Sequence, residues 1–253
     1  MALLSLHALT KSFGGLSAVK NFTLDVDPGA IISLIGPNGA GKSTVFNVIT
    51  GIYRPTSGTI VFDGRDISGV KPNAVAEAGI TRTFQNIRLF SFMTVLENVL
   101  VGRHARMRAM PWDDALHSPV ERREERAARE QAMALLDWFG IARFASDWAR
   151  NLPYGMQRRL EIARALASEP KLLLLDEPAA GTNPAEKAGL MKLVQSIRDR
   201  GVTVLLIEHD MKLVMGISDF VHVLDYGEEI ARGTPAQVRH DPRVIEAYLG
   251  KGA

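Results

Sequence analysis

Gly36-Pro37-Asn38-Gly39-Ala40-Gly41-Lys42-Ser43-Thr44 decides the fold of this 253-residue chain. The stretch fits G-x-x-x-x-G-K-[ST] at every position. A mainly apolar run from Ala30 to Ile35 leads in, as suits a strand buried on both faces. A helical pattern from Thr44 to Thr50 leads out. Glycine lets backbone wrap a triphosphate with successive N–H groups pointing inward, and the helix N-terminus adds its positive end. Lys42 can reach the outer phosphates, and Ser43 can place a hydroxyl on Mg²⁺. The whole loop, from Gly36 through Thr44, is therefore a candidate site for ATP and Mg²⁺. A purely structural turn would have no use for the lysine and hydroxyl.

Further along, Leu172-Leu173-Leu174-Leu175-Asp176-Glu177 reads as a buried strand whose end projects two carboxylates. Asp176 is a candidate Mg²⁺ ligand, and Glu177 can polarise an attacking water. The separation from Lys42 to Asp176 is 134 residues. A simple βαβ crossover needs only ~30, so a segment is inserted between them.

The flanks fit an α/β protein. Leu3 to Leu9 forms an apolar strand, which Lys11-Ser12-Phe13-Gly14-Gly15 is expected to break. Phe22, Leu24 and Val26 alternate with polar residues up to Pro28-Gly29, and Thr59 to Phe62 runs into the turn pair Asp63-Gly64. Strands before any long helix suggest an antiparallel sheet beside a nucleotide-binding core. Lys171–Leu175, Val202–Ile207 and Phe220–Leu224 alternate with helical patterns over 185–200 and from Met211, which argues a parallel sheet. Between Gly102 and Arg150 the character turns helical. Ala128, Ala132, Leu135, Leu136 and Phe139 fall at helical spacing before Gly140. The charge run Glu121–Glu130, four Glu and four Arg, reads as a solvated face. Pro111, Asp113 and Asp114 mark a loop before it.

Composition excludes several classes. Thirty Lys and Arg against 28 Asp and Glu leave a net charge of +2, too balanced for a nucleic-acid-binding field. Cysteine is absent, so thiol catalysis and Cys-ligated zinc are out. No stretch approaches the ~18 apolar residues of a membrane span. The start, Met1 to Lys11, lacks a basic region and cleavage site, so a cytoplasmic location is the expectation.

Several fragments resemble ATP-binding-cassette (ABC) ATPases, in the order that family places them and over essentially the whole chain. Gln85, in Thr83-Phe84-Gln85-Asn86, looks like the Q-loop. Leu152-Pro153-Tyr154-Gly155-Met156-Gln157 resembles the signature sequence. Ala179-Ala180-Gly181-Thr182-Asn183 resembles the D-loop, and His209 matches the switch histidine. The resemblance implies a P-loop NTPase core with a parallel sheet, an antiparallel β subdomain and an inserted α-helical subdomain. Residues 1–84 and 168–253 would form the core, and 85–167 the helical subdomain.

The resemblance also implies a mechanism. Two cassettes would pair head to tail, each ATP lying between one phosphate loop and the partner's signature. Gly155 and Gln157 are then contacts to the partner's ATP. Gly155 lets backbone approach the γ-phosphate, and the run from Gln157 to Ala167 reads as a helix whose N-terminus favours anions. Phe13, 29 residues before Lys42, stands where the family stacks an aromatic ring on adenine. Gln85 would touch Mg²⁺ or water, and Glu177, His209 and Lys42 would carry catalysis. Pro153 and Met156 depart from the usual Ser and Gln of the signature, and the D-loop acid is Asn183. Reduced hydrolysis is the expectation.

Phe84–Phe90 leading into Met93–Val99, Tyr154-Gly155 with Arg158–Ala163, the ending Asp241–Gly250 and the extra segment around Trp112 narrow the resemblance. They look like the larger ATPase of bacterial branched-chain amino acid importers. That implies a second cassette, two membrane permeases, a periplasmic binding protein and a peripheral place on the cytoplasmic face of the inner membrane. The apolar stretch Ile87–Met93 is the candidate docking surface for a permease helix. ATPases of urea or amide importers and of lipopolysaccharide export look much alike, and a nucleotide-sensing module without turnover is the rival from another class. A DNA-repair cassette would need long coiled coils that 134 residues with a proline-bearing loop cannot hold.

Overall fold

The structure is a computed structural model that describes residues 1–103 and 119–249; of 119–122 and 249 only the backbone is described. Pro111, Trp112, Asp113, Asp114, the side chain of Glu121, and Gly250 lie outside the described residues. The chain divides into two units, Met1–Gln85 with Lys171–Ala253, and Asn86–Pro170. Gln85 falls on the core side of that division.

The first unit holds two sheets. β1 (Leu4–Phe13), β2 (Leu16–Val26), β4 (Ser57–Phe62) and β5 (Arg65–Asp66) form an antiparallel sheet in the order β2-β1-β4-β5. β1 does not break at Lys11. It runs on to Phe13 through register shifts against β2, with Ala8 in the left-handed region, because cross-strand pairing overrides the polar residues. β3 (Ile31–Ile35), β6 (Ile80–Arg82), β7 (Leu172–Asp176), β8 (Thr203–Ile207), β9 (Phe220–Asp225) and β10 (Glu228–Gly233) form the second sheet, in the order β10-β9-β3-β8-β7-β6. Its pairs are parallel apart from the β9–β10 hairpin. β3, β7 and β8 are buried along their whole length, which is why they read as mainly aliphatic runs, with Ser33, Asp176 and Thr203 as their buried polar residues.

Helix α1 (Lys42–Ile49) follows β3. Val45, Phe46, Val48 and Ile49 join Leu4, Leu6, Phe22 and Leu24 of one sheet and Leu34, Leu172, Leu174 and Leu205 of the other in a single core. Helix α2 (Pro72–Ala78) leads into β6 and ends at Gly79, whose φ of 111° favours glycine.

The second unit is helical. Helices α3 (Val95–Arg103), α4 (Pro119–Trp138) and α5 (Tyr154–Leu166) pack on one another. Ala128, Ala132, Leu136 and Phe139 are buried as their spacing predicts, and residues 123–130 are mostly solvent-facing apart from Ala128. Helix α5 begins at Tyr154, three residues earlier than its apolar pattern suggests. Pro153 stands at its N-cap and Gly155 lies within its first turn.

In the first unit, α6 (Pro184–Asp199), α7 (Met211–Ile217), α8 (Pro235–Arg239) and α9 (Pro242–Leu249) complete the elements. Val214, Val238 and Val244 from the last three cover Ile35, Val221 and Val223 on the parallel sheet. Among the described residues, no helix is long and apolar enough to cross a membrane.

Candidate functional site

The strand order fixes the site. β3, β8, β7 and β6 are consecutive neighbours, so the residues following their carboxyl ends line up. After β3 comes Gly36, after β8 His209, after β7 Glu177, and after β6 Gln85. Ligands of open parallel sheets sit outside the carboxyl ends of the strands.

The Gly36–Thr44 loop has the conformation its glycines permit. Gly36, Gly39 and Gly41 all have positive φ. At Gly41 (φ 103°), a Cβ would stand 2.4 Å from the carbonyl oxygen of Ala18, so backbone packing forbids any side chain. Lys42 is buried. Its ammonium donates to the carbonyls of Gly36 at 2.7 Å and Pro37 at 2.9 Å. Burial pushes its pKa below the ordinary lysine value, opposed by the carboxylates of Glu177 and Asp176.

A cavity of about 370 Å³ opens over this loop, lined by residues 38–44 with Ala18, Gln85 and Glu177. It suits an anion: its walls include Lys42 and the first residues of α1, where a helix N-terminus favours negative charge. A larger cavity, about 590 Å³, lies against Pro37, Asn38, Tyr226 and Arg243. None of Lys42, Glu177 and His209 is among its walls, so the smaller one is the place for phosphate chemistry.

The acidic side is held by cross-strand bonds. Asp176 closes β7, nearly buried, and its Oδ2 accepts from Arg82 Nη2 at 2.6 Å. Glu177 turns out of the sheet with φ 45°, rare for a residue with a side chain. Its amide donates to Ile207 O, and its Oε2 accepts from Gln85 Nε2 at 2.8 Å. His209 Nδ1 lies 3.7 Å from the same oxygen, with the ring 58% exposed.

Phe13 ends β1, with an exposed face and an edge-on contact to Tyr53 at 5.0 Å; Lys11 Nζ lies over both rings. Gly155 and Gln157 belong to the helical unit. Gln157 Nε2 donates to Leu152 O at 2.8 Å, so its side chain fastens the loop before α5.

The donors present suit Mg²⁺. Among the described residues, no group of three His, Cys, Asp or Glu forms a metal cage. Magnesium rarely needs one, taking one or two protein oxygens plus phosphates and water, and Ser43 and Asp176 offer such oxygens.

Two residues escaped the sequence reading. Arg82 has no local signal. Glu208 lies beside His209 and is fully buried. Its carboxylate accepts from the amides of Ala179 (2.8 Å), His209 (3.1 Å) and Asp210 (3.3 Å), tying the D-loop-like segment to the histidine. Asn183 caps α6 in a capping box with Glu186, which N-P-A-E would have signalled.

Residues 19–180 match the family model "ABC transporter", and residues 228–253 match "Branched-chain amino acid ATP-binding cassette transporter". The chain is 49% identical to the high-affinity branched-chain amino acid transport ATP-binding protein LivG of Escherichia coli K12, over 98% of both. It is 35% identical to the lipopolysaccharide export system ATP-binding protein LptB of Haemophilus influenzae, over 99% of this chain and 98% of that one. Among solved structures, the ADP conformation of an ATP-binding cassette of an ABC transporter superposes with a TM-score of 0.87 at 32% identity, covering 99% of this chain and all of that one. A dimeric cassette bound to ADP and Pi gives 0.77 at 27% identity, over 92% and 98%. With nearly the full length matched and the loop, carboxylates, glutamine and histidine aligned along one sheet edge, the chain belongs to the ABC transporter family as one of its ATP-binding cassettes.

Proposed function

We propose that the chain is the ATP-hydrolysing subunit of a branched-chain amino acid importer. It would work on the cytoplasmic face of the inner membrane, paired head to tail with a second cassette beneath two permeases, and served indirectly by a periplasmic binding protein. The alignment of Gly36–Thr44, Glu177, His209 and Gln85 along adjacent strand ends carries the catalytic reading. The 49% identity to an amino acid transport protein, against 35% to a lipopolysaccharide export protein, favours this solute class.

The residues divide the work as follows. The Gly36–Thr44 amides cradle the phosphates, and Lys42 places its charge on the outer ones. Phe13 offers a ring face to adenine. Ser43 and Asp176, with Gln85 nearby, would hold Mg²⁺, which supplies charge neutralisation at the transferred phosphoryl group. Glu177 accepts a proton from the attacking water, and His209 fixes that water's geometry. The Gly155 backbone adds stabilisation at the γ-phosphate of the ATP held by the partner cassette. Presence of both Glu177 and His209 speaks against a sensing module without turnover.

The exposed Phe90, Phe92 and Met93 favour the docking role of the 87–93 stretch. Uptake of labelled leucine by cells lacking this chain, restored with wild type or with Glu177→Gln, tests the reading. Wild type is expected to restore uptake and the variant not. Uptake that never depended on the chain would overturn the solute assignment.

A further inference from the structure

Arg82 is a buried cation at the end of β6, its side chain 7% exposed like that of Asp176. Burying a guanidinium is costly unless it is paired and hydrogen-bonded. Here Nη2 donates to Asp176 Oδ2 at 2.6 Å, and Nη1 donates to Asn47 Oδ1 at 2.7 Å. Its plane lies near two rings, Phe46 at 5.4 Å and Phe84 at 5.1 Å. Nε is buried with no hydrogen-bond partner, so the group is not placed here merely to satisfy its own donors. Strand β6, Asn47 of helix α1 and the rings of Phe46 and Phe84 together immobilise the fork. Its remaining arm then fixes one oxygen of Asp176 and leaves Oδ1 for a second partner. Lysine could not reproduce this, because an ammonium is a point charge without a planar fork.

We infer that Arg82 is a positioning residue, which holds the Asp176 carboxylate in the orientation that receives the divalent cation of the nucleotide. The inference rests on the reading of Asp176 as the metal-facing carboxylate. Two effects of Arg82 oppose each other. Its charge repels a nearby metal ion, while its geometry presents the ligand. If orientation dominates, removing the fork weakens metal binding; if repulsion dominates, removing the charge strengthens it.

The test uses the full chain, fixed ATP and a magnesium titration, read by thermal unfolding. The quantity is the Mg²⁺ concentration that gives half of the metal-dependent rise in Tm. Arg82→Lys, which keeps the charge, and Arg82→Gln, which does not, are both expected to need roughly tenfold more Mg²⁺, the usual cost of losing a group that orients a metal ligand. Stabilisation by ATP in EDTA stays at the wild-type level. Should either variant fail to fold, Asn47→Ala decides: it frees one arm of the fork without touching the charge, and a higher Mg²⁺ requirement is again expected. A lower Tm with the wild-type Mg²⁺ requirement, or a lowered requirement, overturns the inference. Asp176→Asn separates the two levels. If it keeps the wild-type magnesium response, the reading of Asp176 falls and this inference with it. If only Asp176→Asn loses the response, the role of Arg82 alone falls.

Discussion

The side-chain amide of Gln85 donates to the carboxylate of Glu177 at 2.8 Å. The two residues follow neighbouring strands, β6 and β7, yet lie 92 positions apart in the chain. The oxygen that would receive a proton from water is thereby occupied by a residue at the boundary of the helical unit. Glu177→Gln is expected to keep Mg-ATP binding and to lose phosphate release by about 10²–10⁴-fold, the range for a general base. Gln85→Ala is expected to lower leucine uptake more than hydrolysis. Purified transporter in vesicles, assayed for both, checks this; wild-type turnover in Glu177→Gln would remove Glu177 from the mechanism.

Lys42 gives a pH dependence. Burial places its pKa below the ordinary lysine value of about 10.4 when no phosphate is near, and a bound triphosphate favours the charged form and raises it again. Nucleotide affinity is therefore full below the depressed value and falls as pH rises through it, because the site must take up a proton to bind. ATP binding measured from pH 7 to 10 should weaken at the alkaline end in wild type. Lys42→Met should bind weakly throughout, with that slope gone.

Glu208 is expected to matter for both stability and turnover. Its two oxygens serve three backbone amides. Glu208→Gln turns one acceptor into a donor, which then faces an amide hydrogen. A loss of about 1–3 kcal/mol is expected, the cost of stranding a buried donor. Phosphate release should fall too, since the amide of His209 is one of the three. Urea unfolding with parallel turnover assays measures both; unchanged stability would show the carboxylate to be dispensable.

The contrast between Lys42 and Glu208 shows what a sequence can disclose. The loop around Lys42 is legible because its chemistry is local: glycines, lysine and hydroxyl act within nine consecutive residues. Arg82 and Glu208 act through partners 94 and 29 residues away, and no periodicity encodes a pairing across strands. The same cause explains Lys11–Phe13, polar enough to suggest a break yet held in β1 by its neighbours. Short elements such as β5, β6 and α8 carry too few residues for a period to emerge. Thr234, though, caps α8 through a capping box with Gln237 that T-P-A-Q spells out.

Phe92 is 71% exposed in the helical unit. It meets Trp148 edge-on at 6.2 Å, and the Arg150 guanidinium lies over both rings. Asn98 stiffens the loop, accepting from Phe90 N and donating to Phe90 O and Thr94 O. A rigid, exposed aromatic patch suits a partner surface. Phe92→Ala should change stability by less than about 0.5 kcal/mol and leave ATP binding intact, while reducing uptake and co-purification with the permeases. Wild-type uptake from a Phe90→Ala, Phe92→Ala double variant would end the docking role.

Asn183 stands where the family resemblance expects an acid, and its cap shows why the two residues can exchange without loss of structure. Its Oδ1 accepts from Glu186 N, and Glu186 Oε2 accepts from Asn183 N, each at 2.9 Å. Aspartate can accept the same bond, and its charge would sit favourably at the N-terminus of α6. Asn183→Ala, lacking any acceptor, should cost about 1 kcal/mol, a Tm decrease of roughly 2–4 °C for a chain of this size. Asn183→Asp should match wild type or exceed it slightly. Urea unfolding of the three proteins decides the matter. Equal losses in both variants would mean that capping is not what this side chain supplies; a stable Asn183→Asp with altered turnover would place the difference between amide and acid in the chemistry of paired cassettes.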